Sequence, residues 1–450
     1  MSLDPPLRPR FGTDGLRGPW GTPPMEEATL RRVAAALGVW MQGSGPEQKR
    51  VILGHDGRRT GPLIMQIMAD GLAAAEVSCI DVGLITTPAL ALITRHARAA
   101  AGVMISASHN PASDNGIKVF GADGHKLADE AERDIEELSM RVDAEDDTPG
   151  RLKPRREMVL DYEDHLRNAF PTLDLTGLRI AVDAANGGGS EIAPRLLTML
   201  GAEVIAIGCK PSGDNINAGV GALHPTHLAD LVRTERAHFG ICLDGDGDRG
   251  IFVDELGNVH DGDSVLAAMA QNLAAEGRLS GNTVVATVMS NLGLRRALDA
   301  HGIGLVTTPV GDRHVVAAMR AHGYALGGEQ SGHIVFGGAG AYTGDGLFTA
   351  LALLGLPKAR ALGFAAALGD FRRFPQLLVN LPVRAKPPLE SLPSVQATLR
   401  AIEDELGEDG RVVLRYSGTE NLCRVMVEGP SPEVVERHAE RLADVIRAAL

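Results

Sequence analysis

Four short segments of this 450-residue chain, three of them bearing glycine, carry residue types that could do chemistry. In Asp244-Gly245-Asp246-Gly247-Asp248-Arg249 carboxylates alternate with glycines, and glycine lets the backbone fold tightly enough to turn three hard oxygen ligands toward one divalent cation. An EF-hand loop is the sharp competitor, because Glu255 falls at the twelfth position from Asp244. It fails because Arg249 stands where that loop needs glycine, and because Gly240 to Leu243 and Gly250 to Val253 read as strands instead of helices. A solvated acidic turn is the other alternative.

Ser106-Ala107-Ser108-His109-Asn110-Pro111 reads as a surface loop leaving a buried strand. A serine there can be a nucleophile or a covalent phosphoryl carrier if a metal and a donor offset its charge; a hydroxyl-rich turn would look the same. The Gly-x-Ser-x-Gly elbow of hydrolases is missing, and Ser108 and His109, as neighbours in an extended chain, would point to opposite faces. Arg415-Tyr416-Ser417-Gly418-Thr419-Glu420-Asn421, between two strand-like runs, offers an arginine, two hydroxyls and the N–H groups of a glycine turn to a phosphate monoester, unless it is a plain hairpin turn. Gly328-Glu329-Gln330-Ser331-Gly332-His333 presents a carboxylate and a hydroxyl to sugar hydroxyls or an amine, with a helix-capping role for Glu329 as the alternative. No Gly-x-x-x-x-Gly-Lys loop is present, so a kinase or ATPase would lack its phosphate cradle.

The elements that must position these loops alternate strand, loop and helix, which predicts an α/β class with mainly parallel sheets. Val51-Ile52-Leu53, Arg179-Ile180-Ala181-Val182 and Thr283-Val284-Val285-Ala286 open three similar units, and Gly83-Leu84-Ile85-Thr86-Thr87-Pro88 is echoed by Gly304-Leu305-Val306-Thr307-Thr308-Pro309. In each unit an apolar strand then runs into a polar loop: Gly102 to Ile105 into Ser108, Phe239 to Leu243 into Asp244, and Tyr324 to Leu326 into a loop beginning at Gly327. Ligands gather beyond the carboxyl ends of strands in open α/β sheets, so three such loops facing one another would build one cleft. After Gly369 the pattern becomes strand-rich, Leu377 to Val383 and Arg411 to Tyr416, and closes with an amphipathic helix from Pro432 to Ala449. The expected fold is three similar α/β domains with mixed, mainly parallel sheets and a smaller C-terminal α+β domain around a central cleft, with boundaries at 1–170, 171–256, 257–369 and 370–450.

The formal net charge of −13 repels a polyanion and argues against a nucleic-acid duty. No stretch offers the run of apolar residues a membrane span requires. Four widely spaced cysteines, Cys79, Cys209, Cys242 and Cys423, suggest neither a disulfide framework nor a zinc site, and with them a reducing, cytoplasmic compartment.

Taken in order, these loops, with Phe11-Gly12-Thr13-Asp14-Gly15-Leu16-Arg17-Gly18 at the start and Asn115-Gly116-Ile117-Lys118 after the serine loop, resemble the α-D-phosphohexomutase superfamily over nearly the whole chain. Gln330, Val310-Gly311-Asp312-Arg313 and Thr343-Gly344-Asp345-Gly346 are similar to its members acting on glucosamine phosphates, where mannose and glucose enzymes have methionine at the position of Gln330. Asn421 and His314 depart from the usual proline and tyrosine, which touches substrate fine-tuning and not the reaction. The resemblance implies a phosphoserine at Ser108, a Mg²⁺ held by it and by Asp244, Asp246 and Asp248, sugar contacts from Glu329 and Ser331, and phosphate capture by Arg415, Ser417, Gly418, Thr419 and Arg424. Arg17, Arg249 and Lys118 would neutralise charge, and His109 or Lys118 would carry protons. The implied reaction interconverts glucosamine 6-phosphate and glucosamine 1-phosphate through a 1,6-bisphosphate, with glucose- or glucosamine-1,6-bisphosphate as activator; the same chemistry on mannose or glucose phosphates is the alternative. The implied partners are phosphosugars and a second copy of the chain, with neither nucleic acid nor membrane. A binding protein without turnover and a metal phosphatase are the rivals from other classes: the intact Ser108, Asp244, Asp246, Asp248 set speaks against the first, the Arg415 nest against the second.

Overall fold

A computed structural model describes residues 8–12, 14–44, 49–142, 149–338, 341–417 and 421–450. The first sheet contains β1 (Leu16–Pro19), β2 (Arg50–His55), β3 (Ser78–Leu84), β4 (Ala101–Ile105), β5 (Asp114–Gly121) and β6 (Leu152–Pro154), in the order β1-β5-β4-β2-β3-β6. The second contains β7 (Arg179–Asp183), β8 (Glu203–Ile207), β9 (Phe239–Leu243), β10 (Gly250–Asp254) and β11 (Val259–His260), ordered β11-β10-β9-β7-β8. The third, β13-β12-β14-β15, is built from β12 (Thr283–Thr287), β13 (Gly304–Thr308), β14 (Leu326–Gly328) and β15 (Ile334–Phe336).

One pattern repeats through all three. The opening strand is flanked by two parallel partners, β3 and β4, β8 and β9, β13 and β14; the second of each pair then turns back antiparallel into β5, β10 or β15. The loops of Ser108, Asp244 and Glu329 are therefore the same hairpin loop in three units. The opening strands are β-branched and wholly buried at their centres because helices cover both faces of a parallel sheet.

The third hairpin starts later than the sequence predicts. Tyr324 and Ala325 precede the strand, and Gly327 and Gly328, expected in the loop, are within it. Glycine is depleted in strands and so reads as loop, but a Cβ at Gly327 would come within 2.7 Å of Met319 Sδ and 2.8 Å of the Val285 carbonyl, so only glycine permits this packing.

The fourth unit is an antiparallel sheet, β16 (Gln376–Pro382), β17 (Arg411–Tyr416) and β18 (Leu422–Glu428), ordered β16-β18-β17. The closing helix spans Pro432–Ala449 and buries Val435, Ala439, Leu442 and Ile446. A second helix, Pro393–Leu406, follows prolines at 382, 387 and 388 and goes beyond the strands and closing helix expected for this unit. Pro393 sits in the first helical turn, where its missing N–H leaves no bond unmade. One apolar cluster runs continuously from Ile52 through Ile180 and Phe239 to Val284 and Leu353, so the first three units share a core. The fourth has its own, and is attached to the third through polar contacts: Glu428, fully buried and held by Arg411 Nε of its own unit (2.6 Å), accepts from Asn291 Nδ2 (3.1 Å) and Leu292 N (3.0 Å) of the third.

Candidate active site

The first and second hairpin loops meet at Ser108. Its Oγ donates to Asp244 Oδ2 at 2.7 Å and lies 3.3 Å from His109 Nδ1. Two expectations change here. Ser108 is completely buried and not in a surface loop, and its φ of 52° takes the chain out of the extended form, so that Ser108 and His109 face each other instead of opposite sides. Such a backbone conformation in a residue other than glycine must be held by its surroundings. Ser106 Oγ accepts from Ser108 N at 2.8 Å; the Ser108 carbonyl accepts from Arg58 Nη2 (3.1 Å) and Asn217 Nδ2 (2.9 Å), and the Asn110 carbonyl accepts from the same two groups. Arg58 is itself fully buried and pinned by Asp56 at 2.9 Å.

The metal-type loop packs backbone to backbone on this turn. A Cβ at Gly245 would meet the Ser108 carbonyl at 2.6 Å, so only glycine allows the approach. Asp244, Asp246 and Asp248 are all buried, and each offers an oxygen within 4.8 Å of the others. Lys118 Nζ, on β5, donates to Asp246 Oδ2 (2.7 Å) and Asp248 Oδ2 (3.0 Å) and lies 3.2 Å from Asp14. Thr87 donates through Oγ1 to Asp246 Oδ2 and through its N–H to the Asp246 carbonyl at 2.8 Å.

This crowding sets the charges. Burial, then Asp248 and Asp246, hold the Asp244 carboxyl well above its ordinary value. Burial would also raise Asp248, but Lys118 and His333 outweigh it and hold it well below. Burial would lower Lys118, yet Asp14, Asp246 and Asp248 keep it well above its usual range, a permanent cation. Burial, then the charges of Arg249 and Arg17, push the His109 imidazole down to about 4, so it is neutral near pH 7.

Arg17 pairs with Asp14 and lies 3.5 Å from Asn110 Oδ1. Arg249 gives its N–H to Asp244 Oδ1 at 3.1 Å, and Asp244, Asp248 and Glu329 overcome its burial to raise it further. The third hairpin reaches the same centre: Glu329 Oε1 accepts from Gly311 N at 3.1 Å, and His333 stands 3.7 Å from both Asp248 and Asp312. Ser331 is exposed at that loop's tip. Arg415 and Arg424 face each other on β17 and β18, and Arg415 is lowered by burial and by that like charge, a strain an anion would relieve. Ser417 is buried and its carbonyl accepts from Lys386 Nζ at 2.8 Å; Gly418 and Thr419 lie outside the described residues.

Several residues at the centre had no role in the sequence reading. Asp14, Asp312 and His333 sat inside quoted motifs, and Thr87 inside the repeated hexapeptide, so a signal existed. Lys126, which bridges Asp14 and Asp312, and Arg58 and Asn217, which fix the serine turn, carried none.

The cluster suits a small divalent cation. Asp246 Oδ1 and Asp248 Oδ1 are buried without a hydrogen-bond partner among the described residues, beside the oxygens of Asp244. Buried unpartnered carboxylate oxygens are costly unless a cation takes them up, and hard oxygens suit Mg²⁺.

Sequence profiles of phosphoglucomutase/phosphomannomutase alpha/beta/alpha domains I, II and III match residues 8–146, 161–257 and 261–371, and that of the family's C-terminal domain matches 378–445. The chain belongs to the phosphoglucomutase/phosphomannomutase family. Among curated members, the phosphoglucosamine mutase of Solibacter usitatus is 46% identical over 441 residues, covering 97% of this chain and 98% of that one. The crystal structure of a phosphoglucomutase/phosphomannomutase family protein from Burkholderia thailandensis superposes with a TM-score of 0.80 at 24% identity, over 97% of each chain. Aspergillus fumigatus N-acetylphosphoglucosamine mutase, solved with GlcNAc-6P and magnesium, gives a TM-score of 0.66 at 20% identity, over 98% of this chain and 95% of that one. At these identities the structures establish the fold of the family member described here. Among its described residues, no helix is long and apolar enough to cross a membrane.

Proposed function

We propose that the protein interconverts glucosamine 6-phosphate and glucosamine 1-phosphate, with Ser108 as phosphoryl carrier. The observation that carries the reaction is the 2.7 Å contact joining Ser108 of the first unit to Asp244 of the second. The choice of amino sugar rests on the relatives named phosphoglucosamine mutase, 46% identical over nearly the full length in the Solibacter case, and makes mannose or glucose phosphates the less favoured substrates.

In this reading Asp244, Asp246, Asp248 and the phosphate on Ser108 hold Mg²⁺, which when bound neutralises charge on the transferring phosphoryl group. Ser108 gives its phosphoryl group to the free C1 hydroxyl of the 6-phosphate, and that hydroxyl loses its proton. The resulting 1,6-bisphosphate turns end for end, the 6-phosphoryl group returns to Ser108, and glucosamine 1-phosphate leaves. Arg58 and Asn217 keep the Ser108 turn fixed through both transfers. Arg17, Arg249 and Lys118 offset the oxygens' charge. Because Lys118 is held cationic by three carboxylates, His109 is the better proton carrier: it is neutral, and a phosphate on Ser108 would raise its affinity for a proton. Glu329 and Ser331 orient the sugar; Arg415, Ser417, Gly418, Thr419 and Arg424 hold the phosphate that is not reacting. A sugar 1,6-bisphosphate restores phosphoserine lost to water. The reading also has a cytoplasmic homodimer, which suits four free thiols, and neither nucleic acid nor membrane as a partner.

A substrate panel tests it. With Mg²⁺ and the matching bisphosphate, glucosamine 6-phosphate is expected to give its 1-phosphate with the highest kcat/KM, ahead of the glucose, mannose and N-acetylglucosamine phosphates. Faster turnover of mannose 6-phosphate would move the assignment to that substrate.

A further inference from the structure

The helix Val159–Ala169 supplies no residue to the reaction centre, yet it carries Tyr162, which is 1% exposed. The Tyr162 hydroxyl lies 2.9 Å from both carboxylate oxygens of Asp345 and also meets the side chain of Thr86. A phenol has one proton to give, and here it gives it to Asp345. Burial and then the Asp345 charge push the phenol well above its ordinary value, so the donor is permanent.

Both partners are helix caps, and each helix start grips the Asp244–Asp248 loop. Thr86 caps the helix Thr87–His96, whose first residue holds the Asp246 carbonyl at 2.8 Å and the Asp246 carboxylate through its hydroxyl. Asp345 caps the helix Gly346–Leu354, whose first N–H holds the Gly247 carbonyl at 3.0 Å. That second junction is backbone against backbone, because a Cβ at Gly346 would meet the Arg249 carbonyl at 2.7 Å. A shift of either cap therefore moves the loop directly, and Tyr162 is the side chain that spans them.

We propose that Tyr162 is a positioning residue for the metal loop, bracing Thr86 and Asp345 so that Asp246 and Asp248 keep their ligand oxygens converged. This rests on the Asp244, Asp246, Asp248 cluster being the metal centre. Removing an outer hydrogen-bond partner of a ligand typically weakens metal affinity 10–100-fold, and Tyr162 acts one bond further out, so Tyr162→Phe is expected to weaken it roughly 3–10-fold.

The test is calorimetric titration of Mn²⁺ into the metal-stripped, unphosphorylated full chain, with circular dichroism and thermal melts to establish folding. Tyr162→Phe is expected to raise the Mn²⁺ Kd and, in turnover, the Mg²⁺ requirement, leaving the sugar phosphate KM at saturating Mg²⁺ unchanged. A folded Tyr162→Phe with wild-type Kd overturns the proposal, whatever its melting temperature, because packing alone would then account for the residue. Should that variant not fold, Asp345→Asn decides: it keeps the volume and the cap but turns one accepting oxygen into an NH₂, so a Kd about threefold higher supports the brace and wild-type affinity overturns it. No Mn²⁺ binding by the wild type would sink the metal assignment itself, a different and recognisable failure.

Discussion

Ser108→Ala is expected to lower kcat by roughly 10³-fold or more while the protein remains folded, since removal of a covalent nucleophile leaves only binding and electrostatics. Placement in a surface loop would make the change neutral for stability; the buried site does not. The alanine keeps the 52° φ at little extra backbone cost, because serine already bears it. What is lost is the bond from Oγ to Asp244 Oδ2, a hydrogen bond to a buried carboxylate, worth about 1–3 kcal/mol. Thermal melts should therefore drop by a few degrees with the circular dichroism spectrum unchanged. Metal affinity should match that of the unphosphorylated wild type, since the three aspartates are intact and only the phosphate ligand on Ser108 is lost. Residual activity above about a tenth of wild type, in steady-state assays with saturating bisphosphate, would remove Ser108 from the mechanism.

Arg415→Ala carries the second large effect and separates a mutase from a phosphatase. In the proposed cycle the fourth unit grips the phosphate that is not reacting, and such remote binding energy appears in kcat as well as in KM. Arg415 and Arg424 stand side by side, and burial and that like charge lower Arg415, so an anion bound beside the pair would offset both. Removing one charge-assisted contact costs about 3 kcal/mol, so kcat/KM should fall by roughly 10²-fold or more. Lysine should restore only part, because an ammonium cannot reproduce the planar fork. The bisphosphate should also escape before it has turned, so the variant ought to release glucosamine 1,6-bisphosphate during turnover. Parallel kinetics and product analysis check both effects; unchanged kcat/KM would mean that the fourth unit does not hold substrate.

Much of the cleft was readable because its parts are local. Asp244 to Arg249 is one tight turn between two strands, and the repeated openings at Val51, Arg179 and Thr283 foretold three units whose hairpin loops converge. Three kinds of information were not local. The Ser108 conformation depends on Arg58 and Asn217, 50 and 109 residues away, and nothing beside the serine announces a left-handed turn. Lys126 joins Asp14 to Asp312 across 112 and 186 residues, so its role exists only after folding. Gly327 misled because its usual meaning, loop, gave way to close packing against Met319 and Val285, and the helix opened by Pro393 carried no local signal that was read. Tyr162 combines these difficulties, since it lies on a helix with no motif and acts through Thr86 and Asp345.

The most direct measurement of the central claim is a label transfer. Protein incubated with ³²P-labelled glucose 1,6-bisphosphate and Mg²⁺ is freed of sugar, mapped by peptide mass spectrometry, and chased with unlabelled glucosamine 6-phosphate. The account predicts label on the peptide containing Ser108, stable in buffer, and its passage during the chase into glucosamine phosphates. Label on Ser106 alone, label that resists the chase, or label released as inorganic phosphate with no labelled sugar would contradict it.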